Sequence, residues 1–432
     1  MTAGDRRPDV AIVGAGSLGL ATALELARRG LRPVILERGA DVLAGCSPGS
    51  AGLLSPAHST PLATPGAVRE GLRHMLRRDS PFSMRPRPRL IPWLLRFMWA
   101  ARKSRVREGT ELIRDFSVAS LELHKRLAAE GLDTGLEVLG ALNVYETEKA
   151  YRSGIAEAEE LSTNGIKSQV MTAEEVREFE PAVSDVVKGG VFYPDEAQCD
   201  PERFMLAIAD AAVQAGAVLC TRAEVLDATV KADEVVSLDT TIGEIRPARL
   251  VVANGAWTAE LSRRLGMRIP VEGGKGYHLD LEPSTTDPAI PIYMQEARVI
   301  ATPYPDRLRL AGTLQLTGLS MRVDAVRVRA TLESGVRTLR GIGASRVTEV
   351  WRGIRPCTPD GLPILGRSRR LRNVVFATGH AMKGLHLAPE TGKVVAEALL
   401  DEEPSRDLTP FSPDRFSFGG RDGKRAEDRR RS

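Results

Sequence analysis

The chain has 432 residues, of which 42% are hydrophobic and 27% charged, and its formal net charge is +4. These values are typical of a globular protein with two or three domains, and they exclude the concentrated basic charge of a dedicated nucleic-acid-binding protein. The four cysteines contain no CxxC pair, so we expect neither a structural zinc site nor a redox pair, and we predict no metal site.

Targeting signals are absent from the sequence pattern. Residues 1–8 are polar and run directly into an apolar strand, so no signal peptide is predicted. No run of roughly 18 apolar residues is present, which predicts that no helix spans a membrane. We therefore expect a cytoplasmic protein. Residues 403–432 are interpreted as a C-terminal extension that is disordered at its glycine- and arginine-rich end.

The chain opens with a strand, a turn, a helix and a second strand. The apolar run at residues 10–13 predicts the first strand, and residues 33–36 predict the second. Between them, residues 17–29 have the apolar spacing of a helix, and Gly30 is its expected C-cap. A glycine-rich turn in this context is typical of a dinucleotide-binding site.

Three glycines between the first strand and the helix, Gly14, Gly16 and Gly19, have the spacing GxGxxG. Gly14 permits a tight turn, Gly16 lets the backbone approach a pyrophosphate, and Gly19 lets the helix pack close to the strand. The N–H groups at the start of the helix can then bind the phosphates. Glu37, at the end of the second strand, can accept hydrogen bonds from ribose hydroxyls and would repel a 2′-phosphate. The unit predicts FAD or NAD, and it does not distinguish between them.

The rest of the chain alternates between two kinds of segment. The α/β segments are strands at residues 217–219, 249–253 and 373–378 and helices at 201–215 and 389–400. The intervening segments are helices at residues 109–130 and 148–164 and strands at 141–145, 277–281 and 308–314. We predict an α/β fold in which a discontinuous Rossmann-like domain (1–80, 191–265, 346–402) is joined to an α+β domain on a mixed or antiparallel sheet (81–190, 266–345). The active site is expected between the two.

Four separated segments resemble one family. They are the N-terminal unit, the loop CSPGSAGLLSPAHSTPLATPG (46–66), the strand and turn RLVVANGAW (249–257), and the pair WRGIRPCTPDGLPILG (351–366) and ATGHAMKGLHLAPETG (377–392). Together they resemble the FAD-dependent D-amino-acid oxidase superfamily, and within it bacterial D-amino-acid dehydrogenase of the small-subunit type.

The resemblance implies FAD as the cofactor. It places Ser47 near the flavin phosphates, Val225 beside adenine, and the turn at 379–385 beside the isoalloxazine ring. The residues expected to bind FAD are Gly14, Gly16, Ser17, Leu18, Gly19, Glu37, Arg38, Ser47, Val225, Gly255, Trp257, Gly379, His380, Lys383, Gly384 and Leu385. Some relatives attach FAD covalently, and Cys46 lies near such a position, but we expect noncovalent FAD and interpret Cys46 as a small buried residue.

Oxidation of an amine requires that the substrate binds with its amine neutral and its C–H directed at the flavin. A planar guanidinium suits the substrate carboxylate, because it donates two parallel hydrogen bonds. The resemblance implies that Arg355, in the segment GIRP, is this anchor. An interdomain salt bridge is the alternative for Arg355, and Arg352 is the second choice for the anchor. Gly276 is assigned to backbone geometry.

Three further residues are candidates near the substrate. Tyr277 is predicted to cover the substrate, or else to be an ordinary strand aromatic. His380 is predicted to stabilise the reduced flavin or bond to the substrate, with simple packing of the turn as the alternative, and His386 is a weaker candidate of the same kind. Lys383 and Leu385 depart from the family pattern, which has a small or apolar residue and often a tryptophan there. These departures leave the identity of the substrate open.

Residues 90–107 combine tryptophans, a phenylalanine and leucines with several arginines and a lysine. This pattern predicts one basic amphipathic helix. It could lie on the anionic inner face of the cell membrane, where a quinone would collect the electrons. The alternative is a helix packed on the second domain with a solvated basic face.

The sequence therefore predicts an FAD-dependent oxidoreductase that acts on an amino acid, with D-amino acids as the preferred class and a quinone or another electron acceptor. The alternatives are an oxygen-reducing enzyme like glycine or sarcosine oxidase, a flavin-dependent tailoring enzyme, and a flavin-carrying subunit of a larger complex. Peroxide formation, the range of substrates, and gel filtration with partner proteins would distinguish them.

Overall fold

The computed structural model describes residues 6–74, 82–84 and 87–416. The glycine- and arginine-rich end of the C-terminal extension lies outside these ranges. Within them, no helix combines the length and the apolar character needed to cross a bilayer.

The strands of the described ranges are, in chain order, β1 (Val10–Val13), β2 (Val34–Leu36), β3 (Leu53–Leu54), β4 (Phe82–Met84), β5 (Ala141–Tyr145), β6 (Gln169–Thr172), β7 (Gly189–Tyr193), β8 (Ala197–Gln198), β9 (Val218–Cys220), β10 (Val225–Lys231), β11 (Glu234–Thr240), β12 (Gly243–Ile245), β13 (Arg249–Val252), β14 (Glu272–Leu281), β15 (Ile292–Met294), β16 (Val299–Tyr304), β17 (Arg307–Leu316), β18 (Val347–Cys357), β19 (Ile364–Arg367) and β20 (Val374–Thr378).

The α-helices are α1 (Ser17–Arg28), α2 (Pro65–His74), α3 (Ile91–Ala100), α4 (Lys103–Ala129), α5 (Glu148–Ser162), α6 (Ala173–Phe179), α7 (Pro201–Gln214), α8 (Thr258–Arg264), α9 (Ala325–Thr338) and α10 (Ala388–Leu399).

The first sheet has the strand order β19-β20-β13-β1-β2-β9. All neighbours except β19 and β20 are parallel, as expected for a Rossmann-like sheet covered by helices on both faces. Helix α1 packs between α7 and α10 on one face. Gly392 permits the contact with α10, because a Cβ there would lie 2.6 Å from the backbone carbon of Ala21.

The largest sheet has the order β18-β14-β17-β16-β15-β5-β7-β6, and β4 pairs beside it with β17. It is mixed, since β15 with β5 and β17 with β4 are parallel while the other neighbours are antiparallel. Strands β10 to β12 form a separate antiparallel sheet, and β3 pairs with β8. The apolar core of the large sheet lies under α9, with Leu310 and Ile342 fully buried.

Two segments differ from their predicted forms. Strand β14 begins at Glu272, well before the expected residue 277, because the glycines of GGKG pack closely against neighbouring groups, a contact that strand propensity does not register. The single helix predicted at 90–107 is wrong. It is two helices, because Arg102 has extended backbone and serves as the N-cap of α4. The spacing of apolar residues continues across residues 101 and 102, so periodicity alone does not indicate the break between the two helices.

The division into domains remains a prediction, and one strand bears on it. We placed residues 346–402 with the Rossmann-like unit, but β18 pairs along its whole length with β14 in the large sheet. The chain returns to the first sheet only at β19 and β20. The sequence boundary is therefore better drawn after Cys357. The segment 351–366, which the sequence assigns to one unit, contributes to both sheets.

Candidate active site

A cavity of about 760 Å³ extends from the start of α1 to strands β17 and β18 of the large sheet. The first sheet supplies one end through the carboxyl ends of β1, β2 and β13. The large sheet supplies the other end through β17 and β18. The turn between β20 and α10 and the loop that follows Gly45 line it between these ends. The position agrees with the rule that ligands bind at the carboxyl ends of strands in open α/β sheets.

The glycine-rich turn is built as predicted. Gly14 has a φ of +104°, and a Cβ on it would lie 2.7 Å from the carbonyl oxygen of Ala253. A Cβ on Gly19 would overlap the carbonyl oxygen of Gly14. Gly16 faces the cavity as the N-cap of α1, so it offers no capping side chain, and the first N–H groups of the helix lack partners within the helix.

Polar side chains support this turn. The carboxylate of Glu37 accepts hydrogen bonds from the N–H groups of Ala15 (2.8 Å) and Gly39 (2.7 Å), which leaves lone pairs available for ribose hydroxyls. The Ser47 hydroxyl accepts a hydrogen bond from the Ser17 N–H at 3.1 Å. The Ser17 hydroxyl in turn donates to the carbonyl of Gly384 at 3.1 Å, which connects the start of α1 with the turn before α10.

Most of the predicted site residues come together in this cavity. Those that line it are Gly14, Gly16, Ser17, Leu18, Glu37, Arg38, Ser47, Val225, Gly255, Trp257, Arg355, His380, Lys383, Gly384 and Leu385. Arg38 stacks over the Trp257 ring, with its guanidinium carbon 3.5 Å from the ring centroid. Gly19 and Gly379 are not lining residues of the cavity. Gly19 permits close packing of α1, and Gly379 adopts a φ of +82°. The individual roles remain predictions.

Arg355 lies on β18 with its side chain at the cavity. One of its N–H groups donates to the Thr313 carbonyl at 2.7 Å, and the guanidinium occupies the space that a Cβ on Gly276 would need. No carboxylate forms an ion pair with it in the described part of the chain, so the alternative of a salt bridge is not seen there. Burial lowers the pKa of Arg355, but an arginine stays protonated. The site therefore holds a cation ready for an anionic group.

Thr313 was not identified from the sequence. It has a φ of +61° at an irregularity in the pairing of β14 with β17, and it lines the cavity. A left-handed backbone at a residue other than glycine is strained, and such strain concentrates at functional sites. Here it directs the carbonyl toward Arg355. A bulge of this kind has no clear signal in composition or periodicity.

Tyr277 is not at the cavity, which corrects its predicted role over the substrate. Neighbouring residues of a strand point to opposite faces of the sheet, so Tyr277 faces away from the side on which Gly276 meets Arg355. The ring is fully buried, and its hydroxyl accepts a hydrogen bond from the Asp324 N–H at 3.1 Å, at the start of α9. It is a core residue of the large sheet.

The turn before α10 is held against β18 by the backbone. Cys357 pairs with His380, and the Ala381 N–H donates to the Pro356 carbonyl at 2.9 Å. The His380 imidazole is 2.9 Å from the Thr391 hydroxyl. Burial lowers the pKa of His380 to about 3, so this side chain is neutral near pH 7 and would act as a hydrogen-bonding group rather than a cation.

Two other predicted candidates have clear positions. Arg352 is exposed and donates to the Met321 carbonyl at 2.8 Å, so it lies at the edge of the cavity. His386 also lines the cavity, but it is buried and its ring donates to the Ser117 carbonyl at 3.1 Å. Cys46 is half-buried at the cavity rather than fully buried as expected, and desolvation raises the pKa of its thiol.

Sequence reasoning also missed a polar cluster that we call the Glu196 cluster, formed by Ser55, His58, Glu196 and Lys383. The Ser55 hydroxyl donates to Glu196 and lies 3.0 Å from the His58 imidazole, while the Lys383 ammonium donates to the His58 carbonyl. Glu196 also accepts a hydrogen bond from the Ala57 N–H at 3.0 Å. These residues are far apart in the chain, so no local pattern indicated them.

The arrangement fits FAD. The start of α1, which has a glycine as its N-cap, and the hydroxyls beside it suit a pyrophosphate, and the remaining lone pairs of Glu37 suit a ribose. The cavity continues past the turn before α10 to Arg355, which leaves room for a flavin ring and a small substrate. The same donors would serve NAD, so the geometry shows a dinucleotide site and the family decides between the two.

Comparison with known proteins gives that family. The family model described as FAD dependent oxidoreductase matches residues 9–398. A D-amino-acid oxidase of Bradyrhizobium diazoefficiens is 32% identical over 419 residues, which cover 94% of this chain and 98% of the relative. A D-amino acid dehydrogenase of Paramagnetospirillum magneticum is 29% identical over 417 residues, which cover 94% and 99%.

Among solved structures, the glycine oxidase of Geobacillus kaustophilus superposes with a TM-score of 0.79 at 28% identity, over 95% of this chain and 100% of that one. These findings confirm the predicted fold class, the predicted resemblance and FAD as the cofactor. They also confirm that the protein is an oxidoreductase. The chain belongs to the family of FAD-dependent oxidoreductases.

Proposed function

We propose that the protein oxidises the amine-bearing carbon of an amino acid, preferably a D-amino acid, and that a quinone or another acceptor receives the electrons. The observation that carries this proposal is Arg355, a cation at the far end of the FAD cavity that has no carboxylate partner in the described residues. The names of the relatives, D-amino-acid oxidase and D-amino acid dehydrogenase, support the D configuration.

Arg355 binds the carboxylate of the substrate through its planar fork, and the Thr313 carbonyl holds the guanidinium in place. When bound, FAD supplies the acceptor for the hydride that leaves the amine-bearing carbon. The buried lining residues Ala311, Leu314 and Leu385 limit the access of water to the reacting carbon. The chain thus contributes orientation and a dry, charged pocket, and the resulting imine is hydrolysed by water afterwards.

The function is tested by mixing the FAD-loaded protein without oxygen with a panel of D- and L-amino acids. We expect at least one D-amino acid to bleach the visible absorbance of the flavin, and L-enantiomers to do so more slowly. Replacement of Arg355 by Ala should weaken substrate binding by about 2–5 kcal/mol, the cost of losing one partner of a charge pair. The matched variant Arg352→Ala should have a smaller effect, because Arg352 is exposed. A flavin that no amino acid reduces would end the proposal.

Helix α3 supports a quinone as the acceptor. Its outer face carries apolar side chains that are between 48% and 57% exposed, namely Ile91, Leu95, Met98 and Trp99. Residues 87–107 contain seven arginines and lysines and no acidic residue. This combination suits an anionic membrane surface, where quinones are dissolved. Turnover with a soluble quinone and no peroxide in air would agree with this acceptor, whereas stoichiometric peroxide would identify oxygen instead.

A further inference from the structure

Lys383 places a second cation in the cavity. It lies on the turn before α10, and its ammonium donates one hydrogen bond to the His58 carbonyl, which leaves two N–H groups for other partners. Burial lowers the pKa of Lys383 to about 8, so the side chain carries its charge near pH 7. In the described ranges no acidic group forms an ion pair with it.

The nearest acidic residue, Glu196, does not neutralise this charge. Its side chain is only 2% exposed, and its hydrogen-bond partners are the Ser55 hydroxyl and the Ala57 N–H. Burial raises the pKa of Glu196 to about 8, so the carboxyl is mostly protonated near pH 7. The Glu196 cluster therefore presents Lys383 to the cavity as a cation.

The charges at this end of the cavity are unequal. Arg352, Arg355 and Lys383 line it, whereas Glu157 is its acidic residue. The other acidic residues of the lining, Glu37, Glu224 and Glu260, lie at the opposite end beside β2, β10 and α8. Buried or half-buried charges are normally paired, because leaving them unpaired out of water is costly. In the described residues Arg355 and Lys383 form no ion pair, and we infer that anionic groups of the ligand supply their partners.

We propose that the substrate carries two carboxylates, and that Lys383 binds the second while Arg355 binds the first. This inference rests on the proposed amino-acid oxidation and names its substrate class. The second carboxylate belongs either to an acidic side chain or to a carboxyalkyl group on the nitrogen. Lys383 then determines substrate specificity. A substrate with a neutral side chain of the same shape would leave the ammonium of Lys383 without an anionic partner.

The experiment compares isosteric pairs of substrates that differ only in charge. With the wild-type FAD-loaded protein, kcat/KM for glutamate should exceed that for glutamine by at least about tenfold in the preferred enantiomer, and aspartate should exceed asparagine. Iminodiacetate tests the carboxyalkyl arm. In Lys383→Met the glutamate to glutamine ratio should fall to about one or below, whereas Lys383→Arg should keep a ratio above one because the charge remains.

Lys393→Met is the matched control. Lys393 lies on α10, half exposed, with its ammonium 3.9 Å from Glu397, so its loss should leave the ratio unchanged. The inference is overturned if wild type does not prefer the acidic member of any pair. It is also overturned if Lys383→Met slows both members equally, since Lys383 then acts on a group that both share.

A binding measurement separates this inference from the proposed function. Glutarate should raise the melting temperature of the FAD-loaded wild type more than butyrate does, and Lys383→Met should remove the difference. If no amino acid reduces the flavin, the proposed oxidation fails, and the glutarate result alone then decides whether a second carboxylate site exists. If glutarate and butyrate behave alike in wild type, there is no such site.

Discussion

The substrate anchor depends on a residue that has no side chain. Gly276 lies on β14 opposite β18, and the Arg355 guanidinium occupies the space beside its Cα. The far end of a flexible side chain can move at little cost, so a methyl group at this position would displace the guanidinium rather than unfold the sheet. The position of the anchor and the stability of the strand are therefore separable.

Gly276→Ala should lower kcat/KM by about 10²-fold, because a displacement of about 1 Å at a positioning group has effects of this size. FAD content should be unchanged, since Gly276 is not one of the residues that line the cavity. The measurement is steady-state kinetics together with the flavin to protein ratio. Gly343→Ala is the control, because its Cβ would meet only Val336 at 3.5 Å. Normal kinetics in Gly276→Ala would contradict this placement of Arg355.

The preference for a second carboxylate should depend on pH. Lys383 is faced by Glu196 and His58 from the Glu196 cluster and by His386 on its own turn. Burial lowers the pKa of Lys383 and raises the pKa of Glu196, both to about 8. As the pH rises through this value, the ammonium loses its charge and the carboxyl gains one, and both changes disfavour an acidic side chain.

We therefore expect the ratio of kcat/KM for glutamate to that for glutamine to be highest below about pH 8 and to fall above it, since a group loses its charge across its own pKa. The burial of His58 lowers its pKa to about 3, so it adds no charge in this range. Parallel pH profiles for the two substrates provide the measurement. A ratio that stays constant or increases with pH would be inconsistent with Lys383 as the second anchor.

At the scale of elements, α3 has two faces. Trp93 and Phe97 are buried on one, and the Trp93 indole donates to the Cys357 carbonyl at 3.3 Å, so the helix is joined to β18. On the other face, Arg105 stacks over Trp99 at 3.4 Å. The buried face agrees with the interpretation of a packed helix, whereas membrane association of the other face stays a prediction.

The FAD-loaded protein should sediment with phosphatidylcholine vesicles that contain phosphatidylglycerol and remain in solution with phosphatidylcholine alone. Each arginine or lysine near an anionic surface contributes roughly 1 kcal/mol. Trp99→Asp should reduce the bound fraction, whereas Val118→Asp, at an exposed apolar position of α4, should not. Equal sedimentation with both kinds of vesicle, or no effect of Trp99→Asp, would favour the alternative of a solvated face.

An element can be predicted from the sequence when the residues that determine it are close together in the chain. The β1–α1–β2 unit, its glycines and Glu37 follow from a short stretch of sequence, and the structure has them as predicted. The assignment of Arg355 to a cavity came from a resemblance in the segment GIRP. The orientation of Tyr277 and the carbonyl of Thr313 depend on the register between β14 and β17, which spacing alone does not specify.

At the scale of the whole molecule, one buried arginine joins the cofactor loop to the large sheet. Arg309 is fully buried on β17, and two of its N–H groups donate to Asp280 at 2.8 Å each. The Nη1 nitrogen of Arg309 donates to the Pro48 and Ser50 carbonyls at 2.7 and 3.1 Å. The loop that lines the FAD cavity is thus fastened to the sheet that carries Arg355. These contacts span most of the chain, so no sequence pattern predicted them.

Arg309→Met should lower the free energy of unfolding by about 3–5 kcal/mol, because it leaves Asp280 buried without its main partner. It should also weaken FAD retention, since the loop loses two contacts. Chemical denaturation of the FAD-loaded protein and dialysis of the flavin measure the two effects. Arg346→Met, which breaks the exposed pair with Glu282, should cost no more than about 1 kcal/mol. Similar losses in both variants would argue against the fastening role.

The backbone pairing of Cys357 with His380, and the hydrogen bond from Ala381 to Pro356, join the substrate strand to the flavin-side turn without using any side chain. The main chain therefore sets the position of the flavin-side turn relative to the substrate strand. The side chains that line the cavity determine which substrate binds. Amino-acid replacements in the lining can thus change what is oxidised and leave the distance of transfer intact. Substrate specificity can in this respect change through the lining side chains while the backbone of the site is kept.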